Sequence, residues 1–66
     1  MPYVNIKVTE GVTVEQKTQL IKGVTDLLQD VLGKAPSSTY VVIDEVALTD
    51  WGVGGMNVAD WHARNS

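Results

Sequence analysis

The sequence predicts an α/β fold: a βαβ unit with two parallel strands, followed by a short C-terminal hairpin, that assembles with further copies of itself. Three observations carry this. An alternating segment opens the chain, a long amphipathic segment follows, and a strand apolar on both faces comes after it. Residues 1–66 leave room for one small domain.

Tyr3 to Thr9 alternate, with Val4, Ile6 and Val8 on one side and Tyr3, Asn5, Lys7 and Thr9 on the other. Period two with β-branched residues is the pattern of a strand, and Glu10-Gly11 ends it. Thr13 opens a helix: its hydroxyl caps exposed N–H groups, and Gln16 three residues on completes a capping box. Leu20, Ile21, Val24, Leu27, Leu28, Val31 and Leu32 recur at steps of three and four, one stripe of that helix. Gly33 stops it and Pro36 lies just beyond. The span is about 28 Å at roughly 1.5 Å per residue.

The second strand runs from Thr39 to Val46. Its centre, Val41-Val42-Ile43, asks for cover on both faces. Trp51-Gly52-Val53-Gly54-Gly55 is a glycine-rich turn suited to a tight hairpin. Val58 to Arg64 is compatible with a helical turn or with a small strand, and the local pattern does not decide.

A helical crossover makes the two strands parallel and the connection right-handed. Two strands and one helix do not form a stable free-standing sheet. A domain of about 60 residues buries only about 60% of the surface its unfolded chain exposes. With no cysteine there is no disulfide framework and no thiolate metal site. The missing cover must come from other copies, so the sequence predicts a homo-oligomer.

Composition narrows the function. Apolar residues make up 44% and charged ones 20%, too apolar for a disordered tail. The formal net charge of -3 lacks the clustered cations of a nucleic-acid surface. No apolar run approaches the roughly 20 residues of a membrane span, and no leader opens the chain, so a soluble cytoplasmic protein is expected. There is no Ser/His/Asp spacing, phosphate-binding loop, dinucleotide fingerprint or metal-ligand cluster, and His62 reads as an exposed tail residue. Asp44 and Glu45 are adjacent in a strand and so face opposite sides.

Pro2 stands out. Removal of Met1 would leave a proline secondary amine at the start of the first strand. Apolar neighbours can keep such an amine uncharged, and a neutral amine can take a proton and return it elsewhere. While Met1 is in place, the Pro2 nitrogen is an amide and no base. The plainer alternative is that Pro2 merely begins an edge strand, where a missing N–H costs nothing.

The order and spacing of several short motifs resemble the 4-oxalocrotonate tautomerase family over roughly residues 2 to 60. They are Met1-Pro2-Tyr3-Val4, Glu10-Gly11, Val14-Glu15-Gln16-Lys17 with Leu20-Ile21, Val41-Val42-Ile43-Asp44-Glu45, and Trp51-Gly52-Val53-Gly54-Gly55. The resemblance implies a hexamer of three dimers, and enol–keto tautomerisation of 2-oxo acids without cofactor or metal, with Pro2 as general acid/base. It places Trp51 where the family has a phenylalanine walling the site; a plain core or interface aromatic is the alternative. It places Val12 and Tyr40 where the family has arginines that bind substrate carboxylates and polarise the 2-oxo group. Neither is a cation, and arginine does that work through its bidentate fork. Losing such charged hydrogen bonds costs about 1.5–3 kcal/mol each, so a dicarboxylate such as 2-hydroxymuconate is expected to bind poorly. An aryl 2-oxo acid enol such as phenylenolpyruvate fits better, with Tyr40 either donating to the enolate oxygen or simply packed. Two other readings stay open: the amine as nucleophile or water activator, with Asp44, Glu45 or Asp50 assisting, or an assembly that binds a ligand or protein without catalysis. Lys7, Lys34 and Arg64 are the candidate replacement cations, supplied from a neighbouring subunit, and nothing in the sequence places them.

Overall fold

A computed structural model describes residues 1–65; Ser66, the last residue of the predicted domain, lies outside the described residues. The chain runs β1 (Tyr3–Thr9), α1 (Val14–Leu32), β2 (Tyr40–Val46), β3 (Gly52–Val53), β4 (Met56–Asn57) and α2 (Val58–Asn65). Short 3-10 turns at Pro36–Ser38 and Leu48–Asp50 precede β2 and β3. The α/β class, the βαβ unit and the C-terminal hairpin are all present.

β1 and β2 pair in parallel, with Tyr3 beside Tyr40, Val4 beside Val41, Ile6 beside Ile43 and Thr9 beside Val46. β2 begins at Tyr40, not Thr39. The Thr39 N–H closes the preceding turn on the Pro36 carbonyl at 3.2 Å, and its hydroxyl donates to the Ala35 carbonyl at 3.0 Å. Those bonds hold Thr39 in the turn.

α1 has the predicted ends. The Gln16 N–H donates to the Thr13 hydroxyl at 3.1 Å, and the Thr13 N–H to the Gln16 side chain at 2.9 Å, a reciprocal capping box. At the other end Gly33 adopts φ 67, the left-handed conformation that glycine enters without strain. β3 and β4 form the antiparallel hairpin around Gly54 and Gly55. Their φ values of 60 and 80 match a turn that needs both central residues left-handed. The undecided tail is helix. Asn57 accepts the Asp60 N–H at 2.9 Å and donates back to the Asp60 carboxylate at 3.0 Å, which starts α2.

Val4, Ile6, Val41 and Ile43 share the sheet face turned to α1, and Val24 and Leu28 are half-buried on the helix. The opposite face is open: Tyr3 is 64% exposed, Tyr40 52% and Val42 42%. Leu20, Leu27 and Val31, spaced seven and four apart on one flank of α1, are open too. No described residue is fully buried. The radius of gyration is 15.4 Å, against about 11 Å for a compact chain of this length. The C-terminal unit packs chiefly on itself: α2 lies against the Leu48–Asp50 turn, β3 and β4. The longest axis reaches 45 Å. One copy therefore closes no core among the described residues.

Candidate active site

Because β1 and β2 are parallel, α1 must carry the chain back from the Thr9 end of the sheet to the Tyr40 end. This divides the predicted site residues. Pro2 and Tyr40 lie at one end. Pro2 is half-buried, and its carbonyl accepts the Tyr40 backbone N–H at 3.0 Å, which extends the ladder one step past β1. Tyr40 pairs in register with Tyr3, both on the open face.

Val12 lies at the other end, in the turn between β1 and α1. With Gln16, Gln19 and Leu20 it lines an open groove of about 410 Å³ that holds no charged side chain. Seven strand residues separate the two ends, about 20 Å at the usual strand rise. Trp51 also follows the Val46 end of β2, after the Leu48–Asp50 turn. Its carbonyl accepts the Val58 N–H at 2.9 Å, which joins it to the start of α2. The ring is half-buried, and its Nε1–H is buried without an acceptor among the described residues. So one copy brings Tyr40 to Pro2 through the backbone, and keeps Val12 at the far end.

The charged residues sort just as clearly. Asp44 accepts from Asn5 at 2.9 Å and from Lys7 at 3.0 Å on the open face. The Asn5 hydrogen bond, then the Lys7 ammonium, hold its carboxyl below the usual value. Glu45 points the other way, as strand alternation requires. It pairs with Lys17 and accepts the Gly11 N–H at 3.2 Å, and these bonds lower its pKa in that order. Lys22 pairs with Asp26 at 2.7 Å within α1, which raises the lysine pKa. Of the 5 Lys and Arg residues, Lys34 and Arg64 have no carboxylate partner among the described residues. Arg64 rests against the Met56 sulfur at 3.8 Å. His62 is exposed, its ring edge-on to Trp61 at 5.9 Å. No cluster of three or more His, Cys, Asp or Glu suited to a metal occurs among the described residues. None of their helices is long and apolar enough to cross a membrane.

Residues 2–60 match the family model of the tautomerase enzymes. The chain belongs to the tautomerase family. It is 59% identical over 61 residues to a probable tautomerase of Dickeya dadantii (strain 3937), covering 91% of each chain. The crystal structure of DmpI from Helicobacter pylori is similar with a TM-score of 0.84 at 46% identity, over 98% of both chains. A heterohexameric 4-oxalocrotonate tautomerase of Chloroflexus aurantiacus J-10-fl is similar at 28% identity and a TM-score of 0.84, over 91% of this chain and 97% of that one. Tautomerases are isomerases, and this chain is one of them.

Two features of this tautomerase escape sequence reasoning. The Glu45–Gly11–Lys17 contacts join residues 28 to 34 positions apart, and nothing local marks them. The position of Lys34 at the Pro2 end follows from the crossover, yet its lack of a carboxylate partner among the described residues emerges only once the other ion pairs are known.

Proposed function

We propose that this tautomerase catalyses cofactor-free enol–keto conversion of a small 2-oxo acid, with the Pro2 amine as general acid/base. The reading rests on one observation: Pro2 sits half-buried at the head of β1, its carbonyl tied to β2, in a chain that belongs to the tautomerases. That ladder bond holds the Pro2 carbonyl against β2 and leaves the nitrogen at the end of the strand. Once Met1 is removed, the nitrogen is a free secondary amine. Held neutral, it takes the enol hydroxyl proton and delivers a proton to the adjacent carbon, which gives the keto form.

The rest of the site comes from other copies. Val12 lies about 20 Å from Pro2 in its own chain, so a Val12 that touches substrate belongs to a neighbour. Trp51, carried on the self-contained C-terminal unit, walls a neighbour's proline and keeps its amine weakly basic. The open sheet face and the exposed flank of α1 supply the apolar surface for a homo-oligomer, a hexamer built as a trimer of dimers. Residues 1–66 act as one domain within it, in the cytoplasm, in the breakdown of aromatic compounds. An apolar Val12 and a phenolic Tyr40 favour an aryl 2-oxo acid over a dicarboxylate. The water-activating alternative wants a carboxylate near the proline. Asp44 and Glu45 are instead committed to Lys7 and Lys17, which leaves Asp50, next to Trp51, as the one of its three candidates in place to serve it.

The test is ketonisation of phenylenolpyruvate by protein whose intact mass shows Met1 gone. Pro2→Ala is expected to lower kcat about 10²–10⁴-fold, the usual contribution of a general acid/base. Equal rates for the two proteins would exclude proline catalysis.

A further inference from the structure

We propose that Lys34 is the cation that holds the substrate carboxylate, a specificity residue that deepens, and rests on, the reading of Pro2 as the acid/base. A 2-oxo acid brings a negative charge, and the positions at Val12 and Tyr40 offer none to meet it. The chain has 5 cationic Lys and Arg residues. Lys7, Lys17 and Lys22 are each within salt-bridge distance of a carboxylate, Asp44, Glu45 and Asp26 respectively. Only Lys34 and Arg64 have no such partner among the described residues.

Position within one copy and existing contacts separate these two. α1 runs opposite to β1, so its C-terminal end returns to the end of the sheet where Pro2 and Tyr40 lie. Lys34 sits there, immediately after the Gly33 cap. Its backbone is pinned: its N–H donates to the Leu28 carbonyl at 3.4 Å, beside the Gly33 N–H to Gln29 at 2.9 Å. The Pro36–Ser38 turn fixes the chain on the other side. Lys34 therefore presents an exposed ammonium, without a carboxylate partner among the described residues, from a hydrogen-bonded corner at the proline's end of the same chain. Arg64 rides on the C-terminal unit that carries Trp51 toward a neighbour's proline, but its guanidinium already rests on the Met56 sulfur at 3.8 Å, whereas Lys34 reaches the proline's end within one copy. A lysine beside a helix C-terminus also has a simpler use, since a positive charge there complements the helix dipole. That use affects stability and gives no preference among substrates.

The experiment compares phenylenolpyruvate with the enol of its methyl ester, which lacks the charge, using Met1-free protein. Lys34→Ala should raise KM for the acid about 10–100-fold, the range expected for one charged hydrogen bond. It should leave kcat, and the ester's KM, nearly unchanged. Lys34→Arg should restore most of the acid's KM, and Arg64→Ala should leave both substrates as they were. Binding of cinnamate, a carboxylate that cannot tautomerise, should weaken by the same factor in Lys34→Ala, and by less at high salt. The cinnamate readout does not depend on Pro2, so a failed proline test and a failed Lys34 test are told apart. Equal losses for acid and ester, or unchanged cinnamate binding, overturn the assignment; so does an acid-selective loss in Arg64→Ala.

Discussion

The Glu45 carboxylate accepts the Gly11 N–H and pairs with Lys17, so one side chain fastens the β1–α1 turn and the first turns of α1 to the end of β2. Both contacts favour the charged form and draw its pKa below the ordinary 4.5. A carboxylate with a depressed folded pKa stabilises the fold above its unfolded value, and that contribution is lost as pH falls through the folded value. Glu45→Gln should therefore melt at a lower temperature than the parent near pH 7. The gap should narrow below about pH 4.5 and close in stronger acid, in thermal scans at one fixed protein concentration. An equal gap at pH 7 and pH 3 would contradict the pairing. Asp44, held by Asn5 and Lys7, titrates in the same sense on the other face. That these two neighbours face opposite ways was readable from strand alternation alone. Their partners were not, because Lys17 comes from a helix and Lys7 from the adjacent strand, 37 positions away.

Helix α1 owes its start to the reciprocal bonds of Thr13 and Gln16, both within one turn of sequence. Thr13→Ala should cost about 1 kcal/mol, read as a lower urea midpoint at unchanged slope. Thr13→Ser keeps the acceptor and should recover most of the loss. The two ends of α1 and the Gly54-Gly55 turn were legible because each depends on a few consecutive residues and on glycine's freedom at positive φ. The tail was not. Eight residues carry too little periodicity to separate helix from strand. Its state is set by the Asn57–Asp60 bonds and by packing against the hairpin, where a side chain at Gly54 would come within 3.7 Å of the Trp61 indole.

The molecule leaves Val42, Leu27 and Val31 exposed, spreads over 45 Å and closes no core. Burying one such side chain is worth about 1.5–3 kcal/mol, and an oligomer repeats the gain in every copy. Val42→Asp, on the open sheet face, and Leu27→Glu, on the open flank of α1, should each shift the protein to smaller species in sedimentation at micromolar concentration. Activity should fall with the assembly, since Val12 and Pro2 lie at opposite ends of one sheet. A Val42→Asp variant that keeps both the parent's mass and its activity would show that this face is not an interface.

Periodicity, caps and turn glycines act over a few neighbouring residues, so the strands, the long helix, the hairpin and the need for further copies could all be read along the chain. So could the unusual proline at its head. The parallel register of β1 and β2 brings together residues 37 positions apart, and no local pattern encodes it. That register placed Pro2, Tyr40 and Lys34 at one end of the sheet and Val12 at the other, and it set Lys7 beside Asp44. Such pairings depend on the three-dimensional path of the backbone, which side-chain preferences along a single strand or helix do not specify.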